Sequence, residues 1–170
     1  MSKFKIVGIV ALIVFTMGIL LLGDALAGER GKFVARWVVY GTSFQTLKVP
    51  DVEGHTIFLT EAKGIAFSEK WGAHLIYLTG TYDIIKKGEG TVQGYNQMTF
   101  PDGSTITSKW EGKLMGRGRT VTGASSTEGT WTYIKGTGKF EGIQGVGTYK
   151  SYILGTGQWY NDMEGDYTLP

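Results

Sequence analysis

The chain has 170 residues, with 17 Lys and Arg, 15 Asp and Glu, and a formal net charge of +2. A charge this close to zero argues against a nucleic-acid partner, because nucleic acids are recognised through clusters of positive charge. The absence of cysteine excludes disulfides, thiolate metal ligands, acylated lipoprotein anchors and cysteine nucleophiles.

The first 27 residues have the composition of a secretory leader. Two lysines precede the apolar run Ile6–Leu22, and Ala25-Leu26-Ala27 offers small residues at the positions that a signal peptidase reads. We therefore predict a signal peptide over residues 1–27, export to the periplasm or the medium, and one folded domain over residues 28–170. Because the apolar run is nearly long enough to span a bilayer, an uncleaved anchor is the alternative.

Beyond the leader, strand-like runs alternate with turn signals, and no amphipathic helical pattern is present. Pro101-Asp102-Gly103 is the strongest hairpin signal, because proline presets one turn angle and glycine accepts an unusual one. Turns are also predicted at Pro50-Asp51, Glu69-Lys70-Trp71-Gly72 and Lys86-Lys87-Gly88, and a polar loop before Ser126. The predicted strands are Phe33–Phe44, His55–Phe67, Ala73–Ile85, Glu89–Phe100, Thr105–Met115, Ser126–Ile134, Gly145–Leu154 and Gln158–Leu169.

Eight strands with short connections predict an all-β fold, a single antiparallel up-and-down barrel. Closure removes the two exposed edges that an open sheet of this size would carry. At eight strands the interior is filled by side chains or holds one small ligand. A Greek-key sandwich shares much of the pattern and is the alternative.

The alternation within strands separates an inner from an outer face. In Thr105–Met115, one face carries Ile106, Ser108, Trp110, Gly112 and Leu114, and the other is polar, so the first is predicted to point inward. Glycine and large aromatics share the inner face in the later strands, so rings fill some layers and bare backbone leaves room in others. Three carboxylates fall on the outer face of their strands: Glu89, Glu111 and Glu128.

The strand His55–Phe67 has two plausible inner faces. If the face with Glu61 and Lys63 points inward, the two form a buried pair costly enough to imply a function. If the face with Phe58, Ala62 and Ala66 points inward, the pair is solvated. The sequence leaves both possibilities open.

Inward rings with a few polar tips form the candidate site, because a mostly apolar pocket with few hydrogen-bonding groups suits a small molecule. The alternative is that the rings fill the core. His74 shares a face with Ile76, Leu78 and Tyr82 and is predicted to face the interior near one mouth, as a site residue or as a structural histidine. The predicted cavity residues are His74, Tyr82, Asn96, Ser108, Trp110, Trp131, Tyr149 and Asn161, with Tyr133, Trp159 and Tyr167 on the same inner face.

Known catalytic and cofactor motifs are absent from the sequence. The two histidines, His55 and His74, have no clustered carboxylates, which argues against a metal site. No serine lies in a Gly-x-Ser-x-Gly setting, and no glycine pair precedes a helix that could hold phosphate. We therefore predict no metal and no cofactor.

The segment Gly136–Gly145, GTGKFEGIQG, resembles the Gly-(Thr/Ser)-Gly-x-Phe-x-x-x-x-Gly signature of the allene oxide cyclase and dirigent barrels, within the calycin group that includes lipocalins. The resemblance implies an eight-stranded antiparallel barrel with this segment late in the chain. It also implies one of three activities, namely cyclisation of a fatty-acid-derived epoxide, orientation of phenoxy radicals, or carriage of an apolar ligand. Dirigent-like barrels often form trimers, so a homo-oligomer is expected from the same resemblance.

Three functional hypotheses follow. The first is an exported barrel that binds a small apolar or amphipathic molecule, lipid-derived or aromatic. The second is a cyclase or isomerase that acts by confining a reactive substrate, with groups such as Asn96 and Tyr149 steering it. The third is a structural or interaction protein of the cell envelope with a filled barrel.

Overall fold

Eight antiparallel strands close into a barrel in the computed structural model, which describes residues 28–85, 88–116, 125–155 and 157–170. Each strand pairs with its neighbours in sequence, and β8 and β1 complete the ring. The predicted all-β up-and-down barrel is confirmed, and the sandwich alternative is wrong. The strands are β1 (Glu29–Lys48), β2 (Thr56–Ser68), β3 (Gly72–Ile84), β4 (Gly90–Thr99), β5 (Thr105–Met115), β6 (Ser126–Gly136), β7 (Gln144–Gly155) and β8 (Gln158–Leu169).

The first strand differs most from the prediction. It extends to Lys48 because its second half forms a hairpin with β2, in which Leu47 lies opposite Ile57. A bulge between Gly41 and Ser43 shifts the register there, so residues on either side of it alternate in opposite phase. Of the other strands, β5 and β8 match their predicted bounds, and the rest differ from theirs by one or two residues.

Three predicted features lie outside the described residues: the signal peptide over residues 1–27, Lys86-Lys87 of one turn, and positions 117–124 of the polar loop. Within the described ranges, no helix is long and apolar enough to cross a bilayer.

Burial alternates along the strands as predicted. Ile106, Ser108 and Trp110 are buried on β5, whereas Lys109 and Glu111, which point to the opposite face, are exposed. On β2 the buried residues include Thr60, Ala62 and Ala66, and Glu61 and Lys63 are exposed. The solvated alternative for the Glu61 and Lys63 pair is therefore correct. The three carboxylates predicted on the outer face, Glu89, Glu111 and Glu128, are exposed too.

The glycine-rich turn between β6 and β7 is anchored on the β4–β5 hairpin. A short 3-10 helix spans Gly138–Phe140, and positive φ angles of 60° at Gly138 and 77° at Gly142 let the chain reverse where other residues would be strained. The hydroxyl oxygen of Thr137 accepts a hydrogen bond from the Thr105 backbone N–H at 3.0 Å, and Thr137 N–H donates to the Thr105 carbonyl at 2.9 Å. Phe140 is thereby placed in the core, 1% exposed.

We expect Thr137→Val to lower the free energy of unfolding by about 1 to 3 kcal/mol, because it leaves the partly buried Thr105 N–H without its acceptor at nearly unchanged shape. Urea denaturation gives the value. Thr130→Val, on the exposed face of β6, is the matched control and should cost about 0.5 kcal/mol or less. Equal losses in the two variants would contradict the anchoring role.

One end of the barrel, the closed end, is filled by aromatic rings. It carries the β2–β3, β4–β5 and β6–β7 connections. Trp71, in the β2–β3 turn, lies over this end with its ring centroid 4.9 Å from those of Phe140 and Tyr167 and 5.3 Å from that of Phe33. Ring contacts at these distances show that aromatic side chains fill the closed end.

Glycines and tryptophans share one cross-strand row, which we call the central rung. A Cβ atom added at Gly80 would lie 2.6 Å from the Trp110 ring, and one added at Gly165 would lie 2.6 Å from the Trp131 ring. Each indole ring therefore packs directly on glycine backbone that lies one and two strands away from its own. The paired positions of the rung, from β3 to β8, are Gly80, Gly94, Trp110, Trp131, Gly147 and Gly165.

Candidate functional site

A cavity lies inside the barrel toward the end opposite the closed one, which we call the open end. About 420 Å³ is unfilled there, including space open to solvent, and the centre of a water-sized sphere can occupy about 20 Å³ of it. The enclosed space therefore holds about one water molecule. The lining residues are Trp37, Val39, Leu78, Tyr82, Asn96, Trp110, Thr127, Trp131, Tyr149, Ser151, Trp159, Asn161 and Met163.

Six of the eight predicted site residues line this cavity: Tyr82, Asn96, Trp110, Trp131, Tyr149 and Asn161. His74 and Ser108 face the interior but do not line it. His74 lies at the closed end, where its ring stacks on Phe100 at 4.6 Å and its Nδ1 lies 3.0 Å from the Gly72 carbonyl oxygen. Burial lowers the pKa of His74, which keeps the imidazole neutral.

The wall of the cavity contains buried polar atoms without a partner. The indole nitrogens of Trp37, Trp110 and Trp159, Nδ2 of Asn161, Oδ1 of Asn96 and the hydroxyl of Tyr149 make no hydrogen bond among the described residues. Leaving such a group unpaired costs about 1 to 3 kcal/mol each, so a molecule that pairs with them is stabilised in the cavity. Trp131 differs, since its Nε1 donates to the Thr148 carbonyl at 3.1 Å.

The described residues around the cavity carry no charge. Within residues 28–85, 88–116, 125–155 and 157–170, no Asp, Glu, Lys, Arg or His lines it. Burial raises the pKa of Tyr149 to about 12, and it raises the pKa of Tyr82 further above the ordinary value. Both phenols therefore stay protonated at neutral pH and can donate hydrogen bonds.

The predicted cavity set left out seven lining residues: Trp37, Val39, Leu78, Thr127, Ser151, Trp159 and Met163. Trp37 and Val39 follow from the alternation that begins at Phe33 on β1, and Ser151 lies between Tyr149 and Ile153 on the inner face of β7. Thr127 has the same phase as Trp131. The signal was present in each strand, but Val39, Thr127 and Ser151 are small polar or aliphatic residues that did not stand out beside the rings. Trp37 is itself a ring, and its signal was the regular alternation of Phe33, Ala35, Trp37 and Val39.

The open end is bordered by aromatic side chains of β1, β3 and β8. Phe44 lies with its ring centroid 6.0 Å from that of Trp159, and Tyr82 lies 6.4 Å from Trp110. Phe44 is 52% exposed, and Tyr82 and Trp159 are half-buried. These rings are packed less tightly than those at the closed end, so this is where the interior meets solvent.

His55 ties the β1–β2 hairpin to β3 beside the open end. Its Nδ1 lies 2.6 Å from an Asp51 carboxylate oxygen and its Nε2 lies 2.6 Å from an Asp83 carboxylate oxygen. Both nitrogens can donate only in the protonated ring. The pKa of His55 is accordingly raised, most by the hydrogen bond to Asp83 and next by the one to Asp51. The hydrogen bond between His55 and Asp51 also lowers the pKa of Asp51.

We expect the stabilising effect of His55 to depend on pH. Because its folded-state pKa is raised, its contribution is fully present below the unfolded value of about 6.5 and is lost as pH rises through the folded pKa. The difference in melting temperature between the wild type and His55→Gln should therefore be largest near pH 5.5 and shrink toward pH 9. Comparing the two proteins removes the opposite effect of His74. A difference that grows with pH would contradict the assignment.

Comparisons with known proteins add information on the fold. No protein-family model and no curated protein matches the chain. A crystal structure of a protein with unknown function from Clostridium acetobutylicum ATCC 824 is similar, with a TM-score of 0.55 and 10% identity over 84% of this chain and 99% of that one. At this identity the likeness supports the barrel fold alone. The chain is an eight-stranded barrel protein.

Proposed function

We propose that the barrel binds one small apolar or amphipathic molecule in the cavity at its open end. The observation that carries the proposal is the set of unpaired polar atoms in an otherwise apolar, uncharged wall. Binding pockets for small molecules have this composition, in which apolar surface supplies affinity and a few polar groups fix orientation.

An organic ligand needs more room than the cavity now leaves free, which is about that of one water molecule. The side chains that can provide it are those at the open end, because Tyr82 is half-buried and Phe44 is exposed. Outward rotation of these two rings would widen the cavity and leave the Trp159 indole in its wall. The ligand therefore enters at the open end, between Phe44 and Tyr82.

Titration with the neutral fluorescent probe N-phenyl-1-naphthylamine tests this proposal. We expect saturable enhancement with one site per chain. Ser151→Phe places a ring in the cavity from a buried position on β7 and should weaken binding about tenfold or more, since it fills the volume the probe needs. Circular dichroism confirms that the variant is folded.

Ile65→Lys is the control, because Ile65 is 51% exposed on the outer wall. It should leave probe binding unchanged if the site is inside. Loss of binding in Ile65→Lys with retention in Ser151→Phe would place the probe on the outer wall and contradict the proposal. Absence of saturable binding to the wild type would contradict it as well.

A second candidate function, interaction with another copy of the chain, is favoured by an apolar outer row. Val38, Ile65 and Leu75 lie opposite one another on β1, β2 and β3 and are 49%, 51% and 62% exposed. Contiguous exposed apolar residues often mark protein contacts. Sedimentation velocity would show an oligomer that Ile65→Lys dissociates, and a monomer at all concentrations would eliminate this candidate.

We also propose that the protein is exported, on the strength of its N-terminal composition. Two lysines, an apolar run and Ala25-Leu26-Ala27 form the pattern of a cleaved leader. N-terminal sequencing of the protein from the cells that make it should begin at Gly28, and an intact Met1 would favour the anchor.

A further inference from the structure

We propose that the ligand of the cavity is a neutral carbonyl compound whose oxygen accepts hydrogen bonds from indole and amide N–H groups of the wall. This inference rests on the proposed function and specifies the chemistry of its ligand. Its basis is the set of wall atoms without hydrogen-bond partners, together with the lack of charge on the described residues around them.

Donors outnumber acceptors among the unpaired atoms. An indole nitrogen can only donate, and Nδ2 of Asn161 also only donates. Trp37, Trp110, Trp159 and Asn161 thus provide four groups that can only donate, against one group that can only accept, Oδ1 of Asn96; the Tyr149 hydroxyl can do either. A hydrocarbon would leave all of them unpaired, and a ligand rich in donors would meet few acceptors. A ligand with an acceptor oxygen can pair with most of these wall groups.

Three of the four donors lie on adjacent strands. Trp37 is on β1, and Trp159 and Asn161 are on β8, which completes the ring beside β1. Trp110 is on β5, across the barrel. The carbonyl oxygen is therefore expected to face the β1–β8 wall. The remainder of the ligand is expected against Leu78 and Tyr82 of β3, which line the other side of the cavity.

A carboxylate would satisfy the same donors but carries a charge. Among the residues that the structure describes, no Lys, Arg or His lines the cavity, so within this wall an anion would lose its hydration without gaining a counter-ion. Burying an unpaired charge costs far more than burying a neutral polar group. A ketone, ester, lactone or quinone avoids that cost and still offers one or more acceptor oxygens.

Three probes of matched shape separate these possibilities: acetophenone, isopropylbenzene and benzoate. The full chain, labelled with ¹⁵N, is titrated with each at pH 7 while the indole N–H signals are followed. Substitution of single tryptophans by phenylalanine assigns the signals. Trp131 is the internal control, because its N–H already donates to Thr148.

We expect acetophenone to bind about tenfold or more tightly than isopropylbenzene, because only the ketone pairs with the wall. The signals of Trp37 or Trp159 should move downfield and that of Trp131 should hardly move. Asn161→Leu should weaken acetophenone severalfold relative to isopropylbenzene. If this variant does not fold, the wild-type indole signals decide the question by themselves.

Other results overturn the inference. Equal affinity for acetophenone and isopropylbenzene would refute the acceptor requirement and leave cavity binding intact. Tighter binding of benzoate would refute the requirement for neutrality. Failure of all three probes, together with failure of N-phenyl-1-naphthylamine, would overturn the proposed function itself. Failure of these three alone would overturn only the carbonyl assignment.

Discussion

Replacement of Trp131 by alanine is expected to lower the free energy of unfolding by about 3 to 5 kcal/mol, the range for deletion of a buried aromatic ring. Trp131 is 1% exposed, and its ring lies 4.6 Å from that of Tyr133 and 5.5 Å from that of Phe33. It also covers Gly147 and Gly165 of the central rung. The glycines have no side chain that could fill the resulting void, so the cavity term adds to the lost apolar burial.

Urea denaturation at constant m-value measures this loss. Trp159→Ala is the matched control at the open end, where the ring is half-buried and packs on the exposed Phe44. It should cost about 1 to 2 kcal/mol. If the two substitutions cost the same, the difference we describe between a filled centre and a yielding open end would be wrong.

Gly80→Ala is expected to cost about 2 to 3 kcal/mol, because a Cβ atom there would lie 2.6 and 2.7 Å from two atoms of the Trp110 ring and 2.8 Å from the Gln93 carbonyl oxygen. Gly155→Ala is the control. Gly155 also lies in a strand but has no atom within 4 Å of an added Cβ. That substitution should be neutral or slightly stabilising, by reducing the entropy of the unfolded chain.

The same clash predicts a specific coupling. Trp110→Phe shortens the ring that meets the new methyl group, so the double variant Gly80→Ala with Trp110→Phe should be more stable than the sum of the single losses implies, by about 1 kcal/mol or more. Thermal or urea unfolding of the four proteins gives the coupling energy. Strict additivity would show that the methyl group is accommodated by backbone movement and not by the indole.

The alternation of apolar and polar residues carried most of the fold prediction. In Thr105–Met115, Lys109, Glu111 and Lys113 all fall on one face, so only one face could be buried. Pro101-Asp102-Gly103 indicated the turn before this strand, and Gly103 has the positive φ of 82° that such a turn requires. Regular alternation and unambiguous turns left few arrangements other than an up-and-down barrel.

The second strand could not be resolved from its own residues. Its outer face carries Ile65 and Phe67 beside Glu61 and Lys63, so neither face is uniformly polar. The structure places Ile65 between Val38 and Leu75 in an exposed row. Burial here follows from the bulge in β1 and from the register, which depend on residues distant in sequence.

The candidate site was predictable in part for the same reason. Six of its residues follow from the inner faces, but their division between the cavity and the closed end depends on how far along the barrel each lies. His74 points inward as predicted, yet it belongs to the closed end because Trp71 and Phe100 are there. The contact of His55 with Asp83 depends on the β2–β3 register and leaves no local sequence signal.

The barrel thus combines a closed end filled by aromatic rings with a cavity toward the open end, whose lining residues carry unpaired polar atoms. Native mass spectrometry of the full chain, purified from the cells that make it, tests the binding function most directly. We predict a mass increase corresponding to one small neutral molecule per chain, which is released by organic extraction and identifiable in the extract. A chain that carries no ligand and gains none in the presence of excess N-phenyl-1-naphthylamine or acetophenone would contradict the binding function.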